Sequence, residues 1–187
     1  MKNLNHTRGF TLIETMVAIS ILALSLAGPF VAVRSALGGS YVARDQLIAS
    51  ALAQEGLEYI RSIRDNNYLE GGASTWMSGL SSKLCYGNAP TRYCTVDPNL
   101  GDTPAAIVEY TSITPGNCNA GARCLYISAN DLYNQQNDGT VSSRQFKRVV
   151  QLFRLSDTEV RVVVEVHWST SGKAYTVTVT DTLRDWL

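Results

Sequence analysis

One carboxylate stands inside the longest apolar run of the chain. Glu14 is the single charged side chain in residues 10–33, a stretch that opens directly behind Arg8-Gly9. Hydrocarbon excludes an ionised carboxylate unless an opposite charge or hydrogen bonds compensate it, so Glu14 calls for a partner. Four cysteines form the second candidate set: Cys85, Cys94, Cys118 and Cys124. Their number is even, which allows three disulfide pairings. Between the first two lie eight residues and between the last two lie five, which does not match the two-to-four spacing of zinc sites. No metal or cofactor is expected. Acid–base chemistry has little to work with. Of the two histidines, His6 precedes the apolar run, and His167 lies on the polar side of an alternating segment, where a solvated residue is expected. No serine stands in a nucleophile elbow, and no phosphate-binding glycine loop is present. The chain does not read as an enzyme.

The element that carries Glu14 must be a membrane helix. Residues 10–33 as a helix would span about 36 Å at ~1.5 Å per residue, enough for a ~30 Å hydrocarbon core. Lys2 and Arg8 precede the run, which predicts a cytoplasmic amino terminus and export of the remainder. A secretory signal peptide would have a shorter apolar region and a small-residue cleavage site. An ordinary single-pass anchor fits the length and leaves Glu14 without a role.

Arg8-Gly9-Phe10-Thr11-Leu12-Ile13-Glu14 followed by this apolar run resembles the prepilin signature of type IV pilins and type II secretion pseudopilins. The resemblance implies that residues 1–9 are a leader. A membrane prepilin peptidase/methyltransferase would cut after Gly9 and methylate the new amino terminus at Phe10. It implies that Glu14 then pairs with the amine of a neighbouring subunit and sets the axial register of a filament. The implied partners are that peptidase, other pilin subunits through the amino-terminal helix, the cytoplasmic membrane before assembly, and the pilus or secretion machinery.

Further along, Gly28-Pro29 interrupts the run. Proline removes one helical hydrogen bond and clashes with the preceding turn, which predicts a kink. Residues 34–65 become amphipathic, with Tyr41, Ile48, Leu52, Tyr59 and Ile63 on one stripe together with Gly56. Gly38-Gly39 is a place where this helix could loosen without ending, and Asn66-Asn67 is a stop signal. Residues 66–144 are rich in Gly, Ser, Asn and Pro, with short strand-like pieces at 106–113 and 124–128. Three alternating segments at 147–155, 159–168 and 174–182 read as an antiparallel meander. Their apolar face needs a cover, and the stripe of the long helix supplies one. The expected class is α+β: a long amino-terminal helix, half membrane and half amphipathic, packed on a carboxy-terminal antiparallel sheet with a loop-rich middle. The expected divisions are 1–9, 10–33, 34–65 and an exported globular domain at 66–187.

Export places the cysteines where disulfides persist. Sequence-local pairing, Cys85 with Cys94 and Cys118 with Cys124, would staple loops that lack their own core. The charge balance is zero over the whole chain, and removal of Lys2 and Arg8 would leave 14 basic against 16 acidic groups. That balance argues against a nucleic-acid partner. Arg144, Lys147, Arg148, Arg154 and Arg161 are concentrated locally and are expected on a solvated sheet face. The resulting expectation is a structural pilin-like subunit, held in the cytoplasmic membrane and then in an extracellular or periplasmic filament. The Val-rich strand pair and the Asp185-Trp186 ending resemble those of small accessory pilins, which suggests a minor subunit. A type II secretion pseudopilin shares the same amino-terminal logic. A membrane-anchored binding module or adhesin that never polymerises is the alternative from another class.

Overall fold

A computed structural model describes residues 9–71, 76–101, 106–110, 124–127, 130, 132–135, 140–141, 146–170 and 172–185. One helix, α1, runs from Leu12 to Gly71. It passes through Gly38-Gly39 and beyond Asn66-Asn67, where a stop was expected. Asn67 is used differently: its side-chain amide donates to the carbonyls of Trp76 (3.3 Å) and Ser78 (2.9 Å). The asparagine thus fastens the chain that follows the helix, and the helix itself continues.

The strands are β1 (Tyr86–Gly87), β2 (Tyr93–Val96), β3 (Ile107–Tyr110), β4 (Tyr126–Ile127), β5 (Tyr133–Asn134), β6 (Thr140–Val141), β7 (Lys147–Arg154), β8 (Glu159–Thr170) and β9 (Lys173–Arg184). The main sheet has the order β3-β2-β7-β8-β9, with β1 pairing in parallel beside β7. β7, β8 and β9 form the expected antiparallel meander. The last two strands are longer than the alternation alone implied, because their connection is tight. Gly172 adopts φ of 78°, so two residues suffice to join Thr170 to its partner Lys173. A second small sheet joins β5, β4 and β6.

The chain divides into two units, Met1–Ala43 and Arg44–Leu187. Within the second unit, alternation along β8 turns Val160, Val162, Val164, Val166 and Trp168 onto one face, all essentially inaccessible to water. Phe146, Val150 and Leu152 join them from β7 and the residue before it. The later part of α1 covers this face with Ala49, Leu52, Ala53, Gly56, Leu57 and Ile60. Three of these six residues are small, and at Gly56 side chains of the sheet come close to the helix backbone. The expected stripe was centred slightly off: Ala49, Ala53 and Ile60 form its middle, whereas Tyr41 is exposed. Aromatic and long aliphatic positions drew attention in the sequence, although Ala49 and Ala53 are as fully buried as Ile60.

Polar contacts fix the register of this part of α1 on the sheet. Arg61 forks onto Asp181 of β9 at 3.2 and 2.7 Å. The Tyr59 hydroxyl donates to the Gly101 carbonyl at 2.6 Å, and Thr170 donates to Asp45 at 2.9 Å with both residues buried.

Candidate processing and assembly site

α1 begins at a hydroxyl. Thr11 precedes the first helical residue, and residues 9–11 are outside the helix. Its Oγ1 accepts from the Glu14 N–H at 3.3 Å, and its carbonyl accepts from the Thr15 N–H at 3.2 Å. A threonine at this position satisfies one of the four backbone donors that every helix start leaves open. The sequence reading missed it, although Thr11-Leu12-Ile13-Glu14 has the Thr-x-x-Glu form that marks a helix start before an apolar run.

Gly9, Phe10 and Glu14 are all exposed and lie within six consecutive residues. Among the described residues the Glu14 carboxylate has no hydrogen-bond or ion-pair partner. Thr11 does the capping, so the carboxylate of Glu14 stays available. Its position in the first turn also sets it at the amino-terminal, positive end of the helix dipole.

Every large apolar side chain in residues 10–33 is more than half exposed, and an 18-residue stretch of the helix is apolar enough to cross a membrane. Such a surface needs lipid or protein around it. The hydroxyls of Thr15, Ser20 and Ser25 donate to the carbonyls of Leu12, Met16 and Leu22, each at 2.8 Å, so none enters hydrocarbon unsatisfied. Helical geometry continues through Gly28 and Pro29. Pro29 has no N–H, so the Ser25 carbonyl lacks its usual donor one turn later.

Cys85 and Cys94 are joined in a buried disulfide with Cα atoms 5.6 Å apart, as the local pairing anticipated. Cys124 is also disulfide-bonded; Cys118, its expected partner, lies outside the described residues, as do Arg144 and Trp186.

Two expectations about polar residues are corrected. Arg148 is fully buried, not solvated. It shares the inward face of β7 with Val150 and Leu152, and it donates to the Leu52 carbonyl of α1 (2.9 Å), the Glu55 carboxylate (2.5 Å) and the Val96 carbonyl of β2 (2.9 Å). Lys147 is buried as well, and burial lowers its pKa. Arg154 pairs with Asp157, and Arg161 lies over the Phe153 ring. The basic concentration is therefore divided among separate partners.

His167 is also buried, with Nδ1 2.9 Å from Thr176 Oγ1 and Nε2 3.1 Å from Glu165 Oε2. Burial pushes its pKa down, against the opposing pull of Glu165. Hydroxyl, imidazole and carboxylate follow the order of a nucleophile, base and orienting acid, but none of the three lines the cavity of the same unit. The cavity of about 430 Å3 in this unit is instead lined by Tyr59, Ile63, Asn66, Glu70, Lys83 and Ile107, among others.

Residues 4–28 match the family model described as the prokaryotic N-terminal methylation motif. In this motif the amino terminus is similar to that of type IV pilin-like proteins. The match covers Gly9, Phe10, Glu14 and Gly28, and it supports a pilin or pseudopilin precursor processed by a prepilin peptidase. It points to a structural subunit, and with the exposed apolar helix it fits membrane anchoring before filament assembly. No curated protein and no solved structure matches the chain, so the likeness rests on the amino-terminal motif.

Proposed function

We propose that this chain is a minor subunit of a type IV pilus or a closely related filament. Hydrolysis of the Gly9–Phe10 amide would release a leader ending in the Gly9 carboxylate and leave Phe10 as a new amine, which is then methylated and cationic at neutral pH. The subunit would wait in the cytoplasmic membrane with residues 10–33 in lipid. Assembly then moves the helix from lipid into a bundle of like helices.

The observation that carries this reading is the open carboxylate of Glu14 in the first turn of an exposed apolar helix. In hydrocarbon an ionised carboxylate costs several kcal/mol, and an adjacent cation removes much of that cost. The Phe10 amine of a neighbour is such a cation, and reaching it requires a defined axial offset between subunits. Gly28-Pro29 would give the helix a point of bending where it packs. A pseudopilin of a secretion system would use the same steps, and neighbouring genes for a retraction motor or for a secretin with secretion components separate the two.

Glu14→Ala tests the proposal in cells. The variant is expected to be cleaved and to remain in the membrane while its incorporation into sheared surface filaments falls at least tenfold. Incorporation at the parental level, or absence of the parental protein from filaments, contradicts it and favours an anchored module that does not polymerise.

A further inference from the structure

We infer that Thr11 is a positioning residue for leader removal: its hydroxyl ends the helix one residue beyond the scissile bond and so keeps the Gly9–Phe10 amide accessible. The inference rests on the proposed cleavage after Gly9.

In a helix extended upstream, the Glu14 N–H would donate to the Phe10 carbonyl and the Ile13 N–H to the Gly9 carbonyl, following the i to i−4 pattern. The second of these bonds would tie up the carbonyl that water must attack. In the structure the Glu14 N–H is taken by Thr11 Oγ1 at 3.3 Å, and the first helical acceptor is the Thr11 carbonyl, bound by Thr15 at 3.2 Å. The hydroxyl therefore competes directly with the Phe10 carbonyl for one donor. Gly9 and Phe10 are outside the helix and exposed. Gly9 adds to this, since glycine resists incorporation into a helix.

Capping by Thr11 also separates two tasks that neighbouring residues could otherwise confuse. Glu14 contributes its backbone N–H to the helix start and keeps its carboxylate out of it. Processing and assembly thus draw on different atoms of one short segment.

Loss of a hydroxyl cap shifts such a boundary by roughly five- to tenfold in population. A substrate whose cleavable form is only a fraction of the total shows an apparent affinity reduced by that fraction. Full-length precursor in detergent, incubated with purified prepilin peptidase, reads this directly. Thr11→Val, similar in shape but without the hydroxyl, is expected to raise KM, by up to about fivefold, with kcat unchanged, and Thr11→Ser is expected to restore the parental KM. Parental KM in Thr11→Val, or a Thr11→Ser variant as impaired as Thr11→Val, overturns the inference while leaving the processing proposal intact. Failure of the parental precursor to be cleaved after Gly9 removes both.

Discussion

The Arg148 side chain passes directly over Gly56: a Cβ at Gly56 would lie 2.9 Å from Arg148 Cδ and 3.2 Å from Val164 Cγ1. The glycine leaves room for a buried guanidinium to cross between helix and sheet. Arg148 then binds carbonyls of α1 and β2 and the Glu55 carboxylate at once, joining three elements of the Arg44–Leu187 unit at one point.

Gly56→Ala should therefore destabilise the domain by about 1–3 kcal/mol through overpacking, even though alanine favours helices. Arg148→Ala should cost more, about 3 kcal/mol, because it leaves two carbonyls without this donor and opens space in the core. Glu55→Gln should cost about 1 kcal/mol or less, since Glu55 is well exposed. Urea unfolding of the full-length protein in detergent orders the three variants. An Arg148→Ala variant as stable as the parent contradicts the joint.

The arginine shows where sequence reading succeeded and where it stopped. Val160 to Trp168 alternate strictly, so their strand and its buried face were legible. Arg148 alternates in the same way with Val150 and Leu152, but its charge suggested water. A buried guanidinium becomes intelligible only when helix and strand carbonyls converge on it, and that convergence is tertiary. The helix end was obscured for a similar reason: Asn67 reads as a stop until its contacts with Trp76 and Ser78 are known. The motif that holds Gly9, Phe10 and Glu14 was legible because it is local, and the family model matches it at residues 4–28. Thr11 was equally local, and its capping signature lay in plain sight beside the acid.

The Cys85–Cys94 bridge closes a short loop, with a sequence separation of 9. Restricting an unfolded loop of that length is worth about 2–3 kcal/mol in the chain-entropy account. Replacing both cysteines with serine should lower the unfolding midpoint accordingly while the rest of the fold persists. Non-reducing peptide mapping should show residue 85 joined to residue 94 in the parent, and joining to any other cysteine contradicts the pairing.

His167 should make the Arg44–Leu187 unit acid-sensitive. Its folded pKa lies below the ordinary value near 6.5 because burial disfavours the imidazolium. The unfolded chain therefore takes up the proton first as pH falls. Stability from this group is complete above about pH 6.5 and declines below it. Glu165 faces the ring and opposes the trend, while Lys147 across the strand pair reinforces it. Urea midpoints at pH 7.5 and pH 5.5 should differ more for the parent than for His167→Gln. An equal or larger difference in the variant contradicts the assignment.

The decisive quantity is the mass of the amino-terminal peptide of the mature protein. The account predicts a peptide that starts at Phe10 and carries one added methyl group on its amine. A peptide that still begins at Met1, or one produced by a cut near residue 30, would contradict it.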